Sequence, residues 1–260
     1  MRSYMRLFLN QIETLLVYKW NVLARFFVPL FQMLIALFVW QAIYKTQHHT
    51  ISGYSLQKMS TYIVVSALIS VLASIQHSYR LTQLVRSGNL SYVLVRPYHY
   101  TLESLATFLG NKIAEVMLFA ILLALLVSSR VITLAGLSLL SGILLLSNFV
   151  MLFFLVCCIG DLSFRLIQMW PLRPLFSSLA NLLGGALFPL DVLPTSLYNI
   201  LQWNPFALLF FVNTKLLLSS LPPDQLLRYL AASVGWMIMF GVIHVWLWKI
   251  GLRRYESMGV

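Results

Sequence analysis

The sequence predicts an all-helical protein that crosses a membrane several times. Hydrophobic residues make up 60% of its 260 residues, only 10% are charged, and the mean hydropathy is +0.85, whereas roughly 25% of the residues of an average soluble domain are charged. Several apolar stretches reach about 20 residues, the length that a helix needs to span the hydrocarbon core. No stretch has the alternation over about 10 residues that is typical of transmembrane barrel strands.

The net charge of +11 would indicate a nucleic-acid-binding face in a soluble protein. Here the basic residues flank apolar stretches, as they do in the cytoplasmic loops of membrane proteins, so nucleic acid is not expected as a partner. The two cysteines, Cys157 and Cys158, are adjacent within an apolar run. That placement predicts neither a disulfide framework nor a metal site.

Residues 1–21 predict an amphipathic helix that lies in the membrane interface. Apolar side chains recur there every three to four positions, among Arg2, Arg6 and Glu13, and this pattern is typical of interfacial helices. A frayed N-terminal tail is the alternative interpretation.

Six stretches meet or approach the length of a membrane-spanning helix. They are approximately residues 22–44, 59–79, 105–127, 135–159, 166–187 and 229–250. The third contains Lys112 and Glu115, and the fifth contains Pro171, Arg173 and Pro174, so the boundaries of these two are the least defined. The whole chain, residues 1–260, is expected to form a single membrane domain.

The basic residues are divided unequally between the two sides of such a six-span protein. Thirteen would lie on the side of the N-terminus and five on the other. The five are Lys45, Lys58, Arg130, Lys215 and Arg228. Because cytoplasmic loops carry the excess of lysine and arginine, both termini and the loop 80–104 are expected to be cytoplasmic.

The stretch 188–228 is too apolar for a solvated loop and too interrupted for a continuous span. Pro189, Pro194 and Pro205 would break a helix, and Asp191 and Asn204 are polar. Irregular backbone at membrane depth is tolerated when protein surrounds it, so we expect short re-entrant helices on the outer side.

The motifs of catalytic chemistry are missing from the sequence. It contains no glycine-rich phosphate loop that ends in Lys and Ser or Thr, no His-Glu-x-x-His zinc motif and no Gly-x-Ser-x-Gly elbow. His77 and His244 lie near span ends, where a snorkelling or hydrogen-bonded role is expected rather than a ligand role. Neither a catalytic residue nor a cofactor is therefore expected in this chain, and any ATP hydrolysis requires a partner.

Lys112 and Glu115 are three residues apart and face the same side of a helix. Charged groups at membrane depth are costly and often functional, so the pair would line a transport pathway or couple to protons. Alternatively, Asn111 and Lys112 mark a gradual cytoplasmic entry of the third span, with Glu115 neutralised locally or by another subunit.

The longest polar interval in the chain is residues 84–103. Gly88 permits a tight turn and Pro97 sets a break, so residues 89–96 are expected to form a short lever between them. A basic loop that is merely solvated near anionic lipid is the alternative.

Two groups of residues carry a resemblance to a known family. Arg86-Ser-Gly88-Asn-Leu90 followed by Leu94-Val-Arg96-Pro97 is similar to an Ile-x-x-Gly-x-Leu…Leu-x-(Arg/Lys)-Pro motif. On the outer side, the matching residues are Gly184, Gly185, Phe188-Pro189, Leu193-Pro194 and Asn204-Pro205-Phe206. The chain therefore resembles the ABC-2-type permeases, the membrane subunits of ATP-binding cassette exporters, in particular a bacterial subgroup of roughly this length.

The resemblance implies a transport function that is driven by a separate ATPase, which would bind the ATP and Mg. The loop between spans two and three would be the coupling element that docks into the ATPase; its residues would be Arg86, Gly88, Leu90, Arg96 and Pro97. The re-entrant helices near the exit would involve Gly184, Phe188, Pro189, Pro194, Asn204 and Pro205. The resemblance also implies a bacterial inner membrane location and a second, different permease. An ion-coupled secondary transporter or channel is the alternative function.

Overall fold

The computed structural model describes residues 2–17, 19–46, 50–96, 99–128, 138–166 and 168–255. Within these ranges the chain is helical and has no β-strand, apart from an isolated bridge between Ile51 and Tyr54. The prediction of an all-helical protein is confirmed.

Twelve α-helices follow one another in the described ranges. They are α1 (Arg2–Val17), α2 (Lys19–Thr46), α3 (Leu56–Leu72), α4 (Ser78–Arg86), α5 (Leu90–Leu94), α6 (Tyr100–Ser128), α7 (Leu139–Asp161), α8 (Leu172–Leu183), α9 (Thr195–Leu201), α10 (Pro205–Ala207), α11 (Asn213–Leu218) and α12 (Pro223–Arg254). Short 3₁₀ turns occur at Leu162–Phe164 and Leu190–Val192, and a π-helical turn at Leu208–Val212 joins α10 to α11.

Four helical segments of the described chain have the length and composition to cross a membrane. They are Phe27–Thr46, Tyr100–Ser128, Leu139–Phe164 and Pro223–Arg253. These segments correspond to the first, third, fourth and sixth predicted spans.

The helices in the second and fifth predicted spans are shorter than the apolar stretches that contain them. Helix α3 ends at Leu72, where serine side chains bond locally: the Ser74 hydroxyl accepts from the Gln76 N–H, and the Ser78 hydroxyl donates to the Ile75 carbonyl. Such local bonds compete with the helical ladder. Helix α8 has only 12 residues and ends at Leu183, before Gly184, so it is about 18 Å long, less than the roughly 30 Å of hydrocarbon.

Helix α7 is the centre of the packing. In the most apolar 18-residue stretch of this segment, half of the residues are buried, whereas 6% are buried in the corresponding stretch of α2. Leu144, Met151 and Val156 of α7 are completely buried. Helix α12 packs along α7, and α3, α6 and the segment Pro205–Leu218 add to the same core.

Helices α2 and α6 run in one direction and α7 and α12 run in the other, which defines two ends of the molecule. At one end the start of α6 meets the last turns of α12, because the ring of Tyr100 stacks on Trp248 at 4.3 Å between centroids. The 3₁₀ turn after α7 lies at the same place, with Phe164 edge-on to Trp248. The opposite end holds the last turns of α2 and the start of α12. We call these the α5 end and the α9 end.

Helix α1 packs against α6 and can approach it closely because residue 110 is a glycine. A Cβ atom at Gly110 would lie 2.7 Å from the Cβ of Gln11 and 3.0 Å from the carbonyl oxygen of Phe8. Gly110 is ten residues into α6, so the contact lies about 15 Å along the axis of that helix.

Candidate functional site

A tight turn joins α4 to α5 in the polar interval that the sequence singles out. Helix α4 ends at Arg86, and Gly88 then adopts a φ of +71° before α5 begins at Leu90. Residues other than glycine rarely adopt this left-handed conformation. Helix α5 lies inside the predicted lever 89–96.

One face of α5 is fixed to the rest of the protein. Leu90 is fully buried and Val93 nearly so, and they pack in a cluster with Leu81 and Tyr100. The rings of Phe164, Trp248 and Tyr255 surround this cluster. The short helix therefore rests on the ends of α6, α7 and α12.

The other face of α5 is exposed and combines apolar with basic side chains. Tyr92 is 72% exposed and Val95 is 87% exposed; Arg86 and Arg96 are exposed beside them. Pro97, the remaining predicted coupling residue, lies outside the described residues.

Tyr255, at the end of α12, holds the turn between α4 and α5. Its hydroxyl donates a hydrogen bond to the carbonyl of Gly88 at 3.0 Å and lies 3.4 Å from the Ser91 hydroxyl. The sequence gives no local signal for this contact, because the two positions are 167 residues apart.

A polar clamp attaches α4 and the segment before it to α6. The Arg80 guanidinium contacts the Glu103 carboxylate at 2.6 Å and the Thr107 hydroxyl at 2.9 Å, and His77 Nε2 lies 3.0 Å from the Ser104 hydroxyl. These contacts join α4 and His77, at the end of the break between α3 and α4, to the first two turns of α6.

A second buried polar contact joins α7, α12 and α6. His244 Nδ1 lies 2.6 Å from a carboxylate oxygen of Asp161, and His244 Nε2 lies 3.1 Å from the Thr101 hydroxyl. The side chains of His244 and Asp161 are at most 2% exposed. The hydrogen-bonded role expected for His244 is confirmed, whereas sequence reasoning missed Asp161, its partner 83 residues away.

Lys112 and Glu115 form the ion pair that their spacing predicts. The Lys112 ammonium lies 2.5 Å from a Glu115 carboxylate oxygen, and both side chains are buried. The Lys112 ammonium also lies 5.8 Å from the centroid of the Phe108 ring. Glu115 is thus neutralised locally, as one of the two interpretations expects.

At the α9 end, the backbone leaves the helical conformation after Leu183, and the carbonyls of residues 183–187 are all hydrogen-bonded. The carbonyls of Leu183, Gly184 and Gly185 accept from the Asn204 amide, the Phe211 N–H and the Tyr62 hydroxyl. The next two carbonyls, of Ala186 and Leu187, accept from the Ser66 hydroxyl and the Trp40 indole. We call these five consecutive carbonyls and their donors the carbonyl cradle.

The carbonyl cradle explains how unwound backbone is stabilised among apolar helices. Its five donors come from α2, α3, Asn204 before α10 and the π turn, so each carbonyl is satisfied from a different position in the chain. Phe211 directs its N–H to Gly184 within that π turn. Irregular backbone at membrane depth requires this kind of internal satisfaction.

An ion pair stabilises the turn that follows the carbonyl cradle. A carboxylate oxygen of Asp191 accepts from the Lys215 ammonium at 2.9 Å and from the Tyr54 hydroxyl at 3.1 Å. Burial, with the negative charge of Asp191 as the second cause, raises the pKa of Tyr54 well above its usual range. Tyr54 therefore remains a hydrogen-bond donor.

The predicted coupling residues and the predicted outer residues lie in two separate places, while Lys112 and Glu115 lie in α6. Arg86, Gly88, Leu90 and Arg96 lie together in the segment 78–96 at the α5 end. The residues predicted for the outer side lie in and around the carbonyl cradle at the α9 end; they are Gly184, Phe188, Pro189, Pro194, Asn204 and Pro205. Asn204 caps α10 by accepting from the Ala207 N–H while it donates to Leu183.

Metal ligation finds no support in the described ranges, where no three His, Cys, Asp or Glu side chains are grouped to hold an ion.

A comparison with curated proteins finds no match. The family model described as "ABC-2 family transporter protein" matches residues 30–259, which include the α4–α5 turn, the carbonyl cradle, the last three long segments and most of the first, Phe27–Thr46. The match covers most of the sequence, and the chain therefore belongs to the ABC-2 transporter family.

Proposed function

We propose that this chain is the permease subunit of an ATP-binding cassette exporter, in which it forms the translocation pathway together with a second permease. Family membership makes the chain a component of membrane transport and implies an association with an ATP-binding cassette ATPase. In this proposal the ATPase is a separate subunit, it binds the ATP and Mg, and this chain has no cofactor and catalyses no reaction.

The proposed topology has six crossings within a single domain in a bacterial inner membrane. Four are the long helices, and α3 and α8 are the other two, with α8 extended by the carbonyl cradle. Both termini and the segment 78–96 are cytoplasmic, residues 188–228 form re-entrant helices on the outer side, and α1 lies in the cytoplasmic interface. Helices α2 and α6 run opposite to α7 and α12, as the first and third of six crossings run opposite to the fourth and sixth. This pattern and the excess of basic residues on one side support the arrangement.

The observation that carries the coupling proposal is the two-faced packing of α5. A lever needs a fixed base and a surface for the partner, because coupling requires different contacts in the two states of the transporter. Leu90 and Val93 supply the base, and exposed Tyr92 and Val95 supply apolar surface on a loop that would otherwise be polar. Apolar patches on soluble surfaces mark docking sites.

Each predicted coupling residue has a proposed role in this lever. Gly88 makes the turn, Leu90 anchors α5, Arg86 and Arg96 contact the ATPase, and Pro97 separates the lever from α6. The Arg80 clamp and the Tyr255 contact would then transmit a displacement of the lever to α6 and α12. The outer residues around the carbonyl cradle would form the exit gate.

The proposed second permease packs on an apolar face of α2. Phe27, Phe31, Ile35 and Phe38 are 60–68% exposed and recur every three to four residues, so they share one side of the helix. We propose a heterodimer, as the resemblance to the bacterial subgroup implies, with lipid covering the remaining apolar surface.

The buried Lys112–Glu115 pair favours one alternative, an ion-coupled secondary transporter or channel, because intramembrane charges often line ion pathways. In the exporter the same pair would lie beside the substrate pathway. Transport that persists without any ATPase would favour the alternative.

Reversal of the charge at Arg96 tests the coupling role. We expect Arg96→Glu to reduce co-purification of the ATPase by about tenfold or more, because an unfavourable charge contact at an interface costs at least as much as one tenfold step in affinity. The amount of permease in the membrane should not change. Lys58→Glu is the matched control, since Lys58 is an exposed cation at the opposite end. Unchanged co-purification and ATPase activity in Arg96→Glu would contradict the role.

A further inference from the structure

Two open cavities adjoin beside the break between α3 and α4. The first, of about 140 Å³, lies between α2, α3 and α8. The second, of about 400 Å³, lies between the segment 74–83 and α6. They share the lining residues Ser74, Gln76, Tyr79 and Glu115. We call the two together the polar cleft.

The polar cleft reaches deep into the helical bundle. Glu115 is fifteen residues into α6, which is about 22 Å along the helix axis. The cleft exists because α3 stops at Leu72: a continuous helix through residues 73–77 would fill the space between α2 and α6 with its own side chains.

Amide side chains line the polar cleft and do not bond to the protein. Within the described part of the chain, the side-chain amides of Gln32, Asn111 and Asn181 have no hydrogen-bond partner, although each is half-buried in the lining. Polar groups in an apolar environment are costly unless they are hydrogen-bonded. Their convergence from three separate helices on one cleft indicates a ligand that supplies the missing donors and acceptors.

The charged groups of the polar cleft are compensated by partners. Lys112 is paired with Glu115, and Arg80 is paired with Glu103. His77 Nε2 in the lining lies 3.0 Å from the Ser104 hydroxyl. Because each cation in the lining is already met by a carboxylate of the protein, an uncharged ligand fits the cleft better than a charged one.

Apolar surface accompanies the amides. Phe108, Phe176 and Phe210 contribute rings to the lining, and Val28, at the edge of the cleft on α2, is 55% exposed. Neighbouring Leu175 and Leu182 on α8 are also more than half exposed. A ligand that fits this combination has a hydrogen-bonding group inside the cleft and an apolar part at its rim.

We propose that the polar cleft binds an uncharged amphiphile whose headgroup is rich in hydroxyl groups, with the headgroup against Gln32, Asn111 and Asn181. Amides both donate and accept, and hydroxyl groups do the same, so each can satisfy the other. Only the identification of this amphiphile as the transported substrate rests on the proposed exporter function; binding itself does not.

Photolabelling of the full-length permease in lipid nanodiscs, without ATPase, tests this site. The probe is dodecyl maltoside with a diazirine in its alkyl chain, and labelled peptides are identified by mass spectrometry. We expect labelling around Val28 and Leu175 that excess unlabelled dodecyl maltoside suppresses. Dodecyl phosphate and dodecyltrimethylammonium have the same alkyl chain but a charged headgroup. Each should suppress the labelling about fivefold less effectively than dodecyl maltoside, because the loss of one hydrogen bond weakens binding by about that factor.

Variants locate the headgroup. Gln32→Leu and Asn181→Leu should each lower the suppressible labelling about fivefold, whereas Gln57→Leu, which changes an exposed amide at the start of α3, should leave it unchanged. Equal suppression by the charged amphiphiles in the wild-type protein would overturn the proposal, as would full labelling of correctly folded Gln32→Leu and Asn181→Leu. Because no ATPase is present, these outcomes are independent of whether the exporter function holds.

Discussion

The Asp161→Ala variant is expected to unfold with a free energy about 3 kcal/mol lower than that of the wild-type protein. Asp161 is the buried partner of His244, with an oxygen-to-nitrogen distance of 2.6 Å. Its removal leaves a polar ring nitrogen at the junction of α7 and α12 without that partner, and a buried polar group that loses its hydrogen bond retains the full cost of its desolvation. Reversible denaturant unfolding of the purified protein in detergent micelles measures the difference.

A double-mutant cycle separates the contact from the two side chains. His244→Ala should be destabilising in its own right, and the double variant Asp161→Ala/His244→Ala should lose less than the sum of the two single losses, because residues in direct contact are energetically coupled. Asp224→Ala, which removes a carboxylate that is 69% exposed, is the control and should be near neutral. Strict additivity in the cycle would show that the contact contributes nothing.

Gly185→Val is expected to destabilise the protein by a similar amount, about 3 kcal/mol or more. Gly185 has a φ of +72°, where a residue with a side chain costs roughly 1–2 kcal/mol and a β-branched residue is a true outlier. A Cβ atom there would also lie 2.9 Å from Leu190 Cγ and 3.1 Å from the Phe188 carbonyl oxygen. Relief of these contacts would shift the carbonyl that binds Tyr62 and so open the carbonyl cradle.

The measurement is the midpoint of thermal unfolding in detergent, followed by size-exclusion chromatography. Gly142→Val is the matched control, because a Cβ atom at Gly142 meets nothing within 4 Å and valine is at least as favourable as glycine in a helix. If the two variants have the same midpoint, the conformation assigned to Gly185 is wrong.

Hydropathy predicted the helices whose formation does not require contacts with other helices. The four long spans follow from length and composition alone, since each satisfies its own backbone hydrogen bonds. The ends of α3 and α8 were not predicted, because serine side chains before α4 and the left-handed Gly185 after α8 stop these helices inside apolar sequence. A hydropathy window averages over such local interruptions.

The candidate site was predictable where its signal is local. Gly88 signals the turn before α5, and the spacing of Lys112 and Glu115 places both on one helix face. The Tyr255 contact, the Asp161–His244 pair and three bonds of the carbonyl cradle join residues that are 83 to 167 positions apart. The two other bonds of the cradle, to Asn204 and Phe211, join residues that are closer in the sequence. Such contacts depend on how the helices pack, which a single sequence does not encode in any short pattern.

Site-specific photo-crosslinking tests the central claim, that the exposed face of α5 docks on the ATPase. A photoreactive phenylalanine analogue replaces Val95, which is 87% exposed, or Ile200, which is 72% exposed on α9 at the opposite end. After irradiation of cells that express the transporter, we expect a covalent permease–ATPase product from position 95 and none from position 200. A product from position 200, or no product from position 95 while the complex still co-purifies, would contradict the assignment of the α4–α5 segment as the coupling element.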